Sequence, residues 1–292
     1  MAFDYRTDIR DDDALRASFN ALTRRVFGFD FEAWHAGGWW ADAYTGYAPR
    51  ALVSGGEVIA NVSLTPLALD VAGEAVRAVQ LGTVMTAPEW RGQGLQRRLM
   101  ERVLGELREQ CDMIYLYAND SVMDFYPKFG FERAGEYAFS RAMPEGPGPS
   151  AAQADMDRAA DRDKLLRLYK QGNPFSLAAA PNEIGLLMFY CTGFMRACVY
   201  FIDELDAAAV AEYEDGLLTL SDVFCPAGVA LDDVLRALAR PGVSRATFGF
   251  TPKDAAGMTC APVEDDGGLF VMKGMKNPFA GRTICLPALT HT

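Results

Sequence analysis

Apolar and polar residues alternate along much of the chain with the periods of strands and helices. In the first half, three consecutive antiparallel strands are predicted over residues 50–54, 58–69 and 75–85, because glycine-containing turns separate them. The apolar positions of the next segment recur every three or four residues and share one helical face; they are Leu95, Leu99, Met100, Val103, Leu104 and Leu107. A buried strand over residues 113–117 follows. The pattern indicates a mixed α+β (α/β) fold in which helices flank a sheet.

The second half of the chain repeats this order of predicted elements. A segment rich in proline and glycine, residues 144–150, is typical of a linker. Beyond it the pattern predicts three strands, a helix and a further strand, over residues 198–203, 208–213, 217–224, 231–239 and 245–250. A chain of 292 residues is long enough for two domains. We therefore expect domains over residues 1–143 and 153–292, joined by a linker over 144–152.

The turn between the third strand and the helix has the chemistry of an anion site. Pro88 ends the strand, and Arg91-Gly92-Gln93-Gly94 leads into the helix. The first backbone N–H groups of a helix have no intrahelical partner, and the helix dipole places partial positive charge beside them. Glycines let a phosphate approach those groups, and Arg91 adds a fixed charge. The residues therefore predict a phosphate-binding turn.

Two blocks of this sequence resemble motifs of the GNAT N-acetyltransferase superfamily. The first is the acetyl-CoA signature R/Q-x-x-G-x-G/A, which Arg91 and Gly94 match. Gln96 stands where the family has Gly or Ala, so its side chain must point away from the pyrophosphate. The second block has Asn119 followed by Tyr126 and a Gly-Phe pair, and is similar to the family's N-x6-Y-x-K-x-G-F. The blocks follow the family's order, and the resemblance covers roughly residues 3–141.

The resemblance implies a GNAT fold and an enzyme that uses acetyl-CoA as co-substrate without a metal. It would transfer the acetyl group to a primary amine of a small molecule or peptide by direct attack, with Tyr126 as general acid. The implied coenzyme-binding residues are Val84, Met85, Thr86, Arg91, Gly92, Gln93, Gly94, Leu95, Gln96 and Asn119. A non-catalytic acyl-CoA-binding or partner-binding protein is the alternative.

The second half is similar to a degenerate GNAT-like domain, as in bacterial tandem members of the superfamily. Between Phe224 and Leu231 it has neither an arginine nor paired glycines, and no Y-x-K-x-G-F follows. We expect that this half does not bind coenzyme. An unrelated α+β domain with the same order of elements is the alternative.

Aromatic residues are concentrated between residues 29 and 47, where the resemblance places the border of the acceptor site. Trp34, Trp39 and Trp40 are the candidates for an acceptor wall, and packing of a helix onto the sheet is the alternative reading. The sequence does not identify the general base. Glu32, Asp42 and a chain of water molecules are all candidates for this role.

Composition limits the partners that we expect. The chain carries 28 Lys and Arg against 39 Asp and Glu, a net charge of −11, which disfavours non-specific nucleic-acid binding. The same charge would attract a cationic acceptor or merely keep the protein in solution. No apolar run approaches a membrane span, no metal-ligand cluster is visible, and six cysteines without a C-x-x-C pair suit a reducing cytoplasm. The sequence leaves a homo-oligomer open.

Overall fold

The computed structural model describes residues 3–263 and 267–292. The first half contains these elements: β1 (Asp4–Arg6), α1 (Asp13–Phe27), α2 (Glu32–Ala36), β2 (Ala48–Ser54), β3 (Glu57–Val71), β4 (Glu74–Thr86), α3 (Leu95–Leu107), β5 (Met113–Asn119), β6 (Phe131–Ala134) and β7 (Tyr137–Ala142). Short 3-10 turns occur at Pro88–Trp90, Asp120–Val122 and Tyr126–Phe129.

The remaining elements belong to the second half. They are β8 (Ala152–Gln153), α4 (Ala159–Tyr169), β9 (Ala178–Ala179), α5 (Ile184–Thr192), β10 (Val199–Ile202), β11 (Ala207–Glu214), β12 (Leu217–Phe224), α6 (Leu231–Ala237), β13 (Arg245–Phe248), β14 (Thr259–Pro262) and β15 (Gly267–Met272). The predicted strands and helices of both halves therefore form within a few residues of their expected bounds. None of the helices in the described ranges is long and apolar enough to cross a membrane.

Local sequence explains where the first helix begins and ends. The side chain of Asp12 accepts hydrogen bonds from the backbone N–H groups of Ala14 and Leu15, both at 3.0 Å, and caps α1. Gly28 follows α1 with a left-handed φ of +81°, which glycine adopts without strain.

The strands form two mixed sheets with the same layout, confirming the mixed α+β fold. The first has the order β1-β2-β3-β4-β5-β15-β6, with β9 beside β3, and the second has the order β14-β7-β13-β12-β11-β10-β8. The parallel neighbours are β4 with β5 and β12 with β13, while the other pairs among the described residues are antiparallel. In each case a crossover containing one helix, α3 or α6, joins the parallel strands.

The two halves exchange a strand, and this corrects the predicted domain boundaries. Strand β7 precedes the linker but pairs with β13 and β14 of the second sheet. Strand β15 lies in the second half of the chain but pairs with β5 and β6 of the first sheet. Phe139 and Phe270 are accordingly buried in the core of the opposite half. The predicted domain boundary at residue 143 therefore does not separate the two sheets. Alternating apolar residues predict that a strand forms, but they do not predict which strand pairs with it.

Helix α5 packs between the two halves. Its residues are apolar on all sides, which is typical of a helix without a solvent face. The Nε1–H of Trp34, on α2, donates a 2.8 Å hydrogen bond to the carbonyl oxygen of Gly185 at the start of α5. This contact brings a second-half helix to the aromatic segment of the first half.

Candidate active site

A cleft of about 950 Å³ lies where β4 and β5 part. Their parallel pairing runs from Ala78 opposite Met113 to Leu81 opposite Leu116 and extends no further. Just beyond Leu81, β4 carries one residue more than β3 across the register shift, which is a β-bulge. Thr83 in this bulge has a φ of +47°, an uncommon conformation for a residue with a Cβ. Nδ2 of Asn61 donates 2.9 Å hydrogen bonds to the Thr83 carbonyl oxygen and to Ser63 Oγ.

The start of α3 forms one end of the cleft. Gly92 and Gly94 have φ values of +73° and +74°, and a Cβ at either position would meet no atom within 4 Å. The turn geometry therefore calls for glycine there, and the space in front of the helix is open. Arg91, Arg97 and Lys128 line this end, whereas no acidic side chain of the described residues lines the cleft. A chain of net negative charge thus presents a locally positive mouth beside a helix N-terminus.

The coenzyme residues expected from the sequence meet in this cleft with one exception. Val84, Met85, Thr86, Arg91, Gly92, Gly94, Leu95, Gln96 and Asn119 all line it. Gln93 does not; it is exposed, and its Nε2 lies 3.4 Å from the carbonyl oxygen of Glu89. The position before Gly94 thus faces solvent.

The side chain of Gln96 is tied to the sheet. Its Oε1 accepts a 2.9 Å hydrogen bond from Thr86 Oγ1, and its Nε2 donates to the carbonyl oxygen of Asn61 at 3.3 Å. A glutamine at this position therefore joins α3 to β3 and β4 while its backbone remains at the turn.

Tyr126 lies against the inner wall of the cleft. Its ring is 4% exposed and packs on Phe125, Phe131 and Phe270. Burial raises the pKa of its hydroxyl to about 12, so the hydroxyl is protonated at neutral pH. No hydrogen bond joins this hydroxyl to another residue of the described ranges. The lining of the cleft thus includes a tyrosine that is protonated at neutral pH.

A second, smaller cavity of about 180 Å³ adjoins the cleft, and Phe29, Thr83 and Thr292 line both. Trp34 lines this smaller cavity, as expected of an acceptor-wall residue. Trp39 and Trp40 do not. Trp40 is 2% exposed and donates its Nε1–H to the carbonyl oxygen of Tyr47, and Trp39 packs on Tyr44. The aromatic density predicts an apolar wall, but the direction of each ring depends on neighbours distant in sequence.

The two carboxylates that the sequence offered as bases lie outside both cavities. Glu32 pairs with Arg24, and Asp42 accepts from Arg10 Nη1 at 2.6 Å on the surface. Neither side chain lines the cleft or the smaller cavity. Their ion pairs with arginines account for their placement.

Several residues at this site come from the second half and were missed by sequence reasoning. Phe189, Phe194 and His291 line the smaller cavity, and Thr292 packs beside β4. A Cβ on Gly82 would lie 2.6 Å from the Thr292 carbonyl oxygen, which also accepts from Gln80 Nε2 at 3.3 Å. Glycine at 82 thus permits this close approach. The all-apolar run of α5 was the one signal in the sequence that pointed to a buried partner.

Comparison with known proteins agrees with this geometry. Residues 10–134 match the family model "Acetyltransferase (GNAT) domain". This part of the chain is similar to a GNAT domain. No curated protein sequence matches the chain.

Solved structures resemble the chain across both sheets. A GCN5-related N-acetyltransferase from Anabaena variabilis ATCC 29413 shares 14% identity and a TM-score of 0.59 over 92% of this chain and 72% of its own. A protein from Enterococcus faecalis V583, named as a probable N-acyltransferase, shares 13% identity and a TM-score of 0.58 over 93% and 72%. A GCN5-related N-acetyltransferase from Kribbella flavida shares 17% identity and a TM-score of 0.56 over 92% and 71%. At these identities the likeness is one of fold, and it extends beyond the residues that match the family model.

Proposed function

We propose that this protein is an acetyl-CoA-dependent N-acetyltransferase that acts on a primary amine, with Tyr126 as general acid. The observation that carries the proposal is the cleft between β4 and β5, which joins a positive helix N-terminus to a buried tyrosine hydroxyl. The match of residues 10–134 to the GNAT family model and the fold of N-acetyltransferase neighbours support it.

The residues that line the cleft have groups suited to the pyrophosphate and to the pantetheine arm of the coenzyme. At the α3 end, the N–H groups near Gly94 and the side chain of Arg91 would hold the pyrophosphate, since nothing in the protein fills the space in front of them. Further in, β4 has no pairing partner on its β5 side beyond Leu81. The backbone of residues 84–86 is therefore free to pair with the amides of the pantetheine arm as an added strand would.

The chain's own groups then need to do little chemistry. The bound coenzyme supplies a thioester whose carbonyl carbon the amine attacks. Tyr126 would donate a proton to the departing sulfur, since burial keeps its hydroxyl protonated at neutral pH. Thr83 lines both the cleft and the smaller cavity, so an acceptor in the smaller cavity would lie beside a coenzyme in the cleft.

Two measurements test this function together. Calorimetry with CoA should give saturable binding, and acetyl-CoA with a panel of small amines and a lysine peptide should release free thiol only when an active amine is present. Binding without thiol release from any amine would favour the non-catalytic coenzyme-binding alternative. Absence of coenzyme binding by a folded sample would contradict both.

We propose that the protein works in the cytoplasm and uses no metal. Its partner would be the small molecule or peptide that accepts the acetyl group. Its support is the six cysteines, which are all unpaired thiols.

A further inference from the structure

The smaller cavity beside Thr83, here called the ring cavity, is walled by side chains from both halves of the chain. Its seven Phe, Trp and Tyr members are Phe29, Phe31, Trp34, Tyr47, Phe189, Tyr190 and Phe194. The Phe31 and Phe189 rings stack at 5.5 Å, and the Trp34 ring meets Phe189 edge-on at 5.4 Å. At the mouth, Phe194 is 61% exposed and contacts Phe29 and Phe189 at 5.4 and 5.5 Å. The aromatic contacts connect the wall residues to one another.

Most side-chain polar atoms of these walls already have partners; the exception is His291 Nε2, which is buried without a hydrogen bond. Trp34 donates its Nε1–H to Gly185, and the Tyr47 hydroxyl is 2.6 Å from Thr83 Oγ1 and accepts from Ser63 Oγ at 2.8 Å. The hydroxyl of Tyr190 donates to the His291 carbonyl oxygen at 2.8 Å. A ligand in the ring cavity therefore meets mainly ring faces and edges, with His291 Nε2 as an unpartnered side-chain nitrogen in the lining.

No charged side chain of the described residues lines the ring cavity. Its lining contains no aspartate, glutamate, lysine or arginine, and burial lowers the pKa of His291 to about 4, which leaves the imidazole neutral at pH 7. A ligand with several polar groups would lose water here while His291 Nε2 offers a side-chain partner to only one of them, which makes the burial costly.

The volume of the ring cavity sets a size limit. An engineered apolar cavity of about 150 Å³ takes up one benzene molecule. The ring cavity, at about 180 Å³, has room for one six-membered ring and a short arm. The arm would reach the cleft past Thr83, which lines both spaces.

We propose that the acceptor is a primary monoamine carried on a single apolar ring, such as an arylmethylamine. The inference rests on the proposed acetyl transfer. The neutral amine nitrogen forms a bond to the acetyl carbon, the carbon–sulfur bond breaks, and one amine proton leaves as the sulfur receives one. The products are an N-acetyl amide and the free thiol, with atoms and charges in balance.

A set of four amines tests the proposal by size and by charge. We expect kcat/KM for benzylamine to exceed that for spermidine and for glucosamine by about tenfold or more, because His291 Nε2 cannot partner all of their extra polar groups. A two-ring probe, 1-naphthylmethylamine, should also fall below benzylamine by about tenfold, because it exceeds the cavity. Equal or faster turnover of spermidine or glucosamine would overturn the ring preference and leave acetyl transfer standing.

A pair of variants tests the location without relying on a core substitution. Phe194→Ala removes an exposed mouth ring, and we expect KM for benzylamine to rise roughly threefold to tenfold with KM for acetyl-CoA unchanged. Tyr44→Ala is the matched control, since Tyr44 is also exposed and aromatic but lines neither space. Equal effects of the two variants would overturn the assignment of this cavity.

A binding measurement separates failure of the inference from failure of the proposed function. Benzyl alcohol has the ring but not the nucleophilic amine, so calorimetry reports its binding without turnover. We expect it to bind and Phe194→Ala to weaken it. If no amine were acetylated while this binding persisted, acetyl transfer would be wrong although the ring cavity would remain a ligand site. Absence of benzyl alcohol binding would overturn the inference itself.

Discussion

The two sheets share one strand order but differ at the point where their parallel strands part. In each sheet we call the gap between the two parallel strands, beyond their last paired residues, the wedge. In the first sheet the wedge lies between β4 and β5 beyond Leu81, is open and forms the candidate coenzyme cleft. In the second sheet the pairing of β12 with β13 ends at Leu220 and Phe248, and the chain itself occupies the equivalent place. The N–H of Ala288 donates to the Gly249 carbonyl oxygen at 2.8 Å, and Cys285 N–H donates to Thr251 Oγ1 at 2.8 Å. The second wedge thus already has its occupant.

The helix that follows the wedge also differs between the halves. Helix α3 starts at a left-handed glycine with arginines nearby, whereas α6 has Asp232 and Asp233 in its first turn. These carboxylates use the positive end of the helix dipole and would repel a phosphate. The linker covers α6 as well, since a Cβ on Gly148 would lie 2.3 Å from Arg236 Cβ. The comparison teaches that one strand order can leave an open wedge and a free helix N-terminus in one sheet and neither of them in the other.

The largest expected effect concerns the tyrosine that only the first wedge presents. Tyr126→Phe keeps the packed ring and removes the donor, so kcat should fall about 10²-fold while CoA affinity measured by calorimetry stays the same. Tyr169→Phe is the control, because Tyr169 is a half-buried tyrosine of the second half that does not line the cleft. A near-normal kcat for Tyr126→Phe would make water the proton source.

The pH profile of the native enzyme sharpens the same point. Burial raises the pKa of Tyr126 from 10.0 to about 12, so the hydroxyl remains a donor up to and beyond the pH at which a free phenol ionises. We expect no alkaline loss of kcat below about pH 10. Because the pKa is raised on folding, this tyrosine's contribution to stability is full below pH 10 and is lost as the pH rises towards 12.

The next effect compares the two turns before the helices. Gly94→Val places a branched residue at a φ of +74° in front of the proposed pyrophosphate, and CoA affinity should fall by more than about tenfold, or ~1.4 kcal/mol. Gly228→Val is the matched change before α6, where φ is not left-handed and a Cβ meets no atom within 4 Å. It should leave affinity unchanged. Equal losses in both variants would point to general destabilisation rather than to a site.

The number of CoA molecules bound per chain, one or two, tests whether the second wedge is filled. Calorimetric titration with CoA should give one site per chain, because residues 285–288 and the acidic start of α6 exclude a second molecule. Two equivalent sites per chain would show that the second wedge opens.

The smallest effect concerns Gln96, the departure from the family signature. Gln96→Ala removes two hydrogen bonds that join α3 to the sheet and should lower the free energy of unfolding by about 1–2 kcal/mol in a denaturant titration. CoA affinity should change by less than about twofold, since the backbone at the turn is unaltered. Gln93→Ala, with its exposed side chain, is the neutral control.

The sequence by itself determined the local features of this protein. The apolar period of α3, the cap at Asp12 and the glycines that turn the chain before Leu95 act over a few residues, so their structures follow from their own neighbours. The glycine turn that we propose to bind phosphate, and the place of Tyr126 after β5, could for this reason be predicted from the order of residues. The repeated order of elements in the second half was readable in the same way.

The tertiary structure alone decided which distant segments meet. A strand pattern states which side chains share a face and not which strand lies beside it, so the exchange of β7 and β15 could not be foreseen. For the same reason nothing in residues 29–47 showed that Trp34 would face a cavity while Trp40 packed in the core, because Phe189 and Phe194 complete that wall from about 150 residues away. Contacts over such separations depend on how the whole core packs, and they shaped the proposed acceptor site more than its local sequence did.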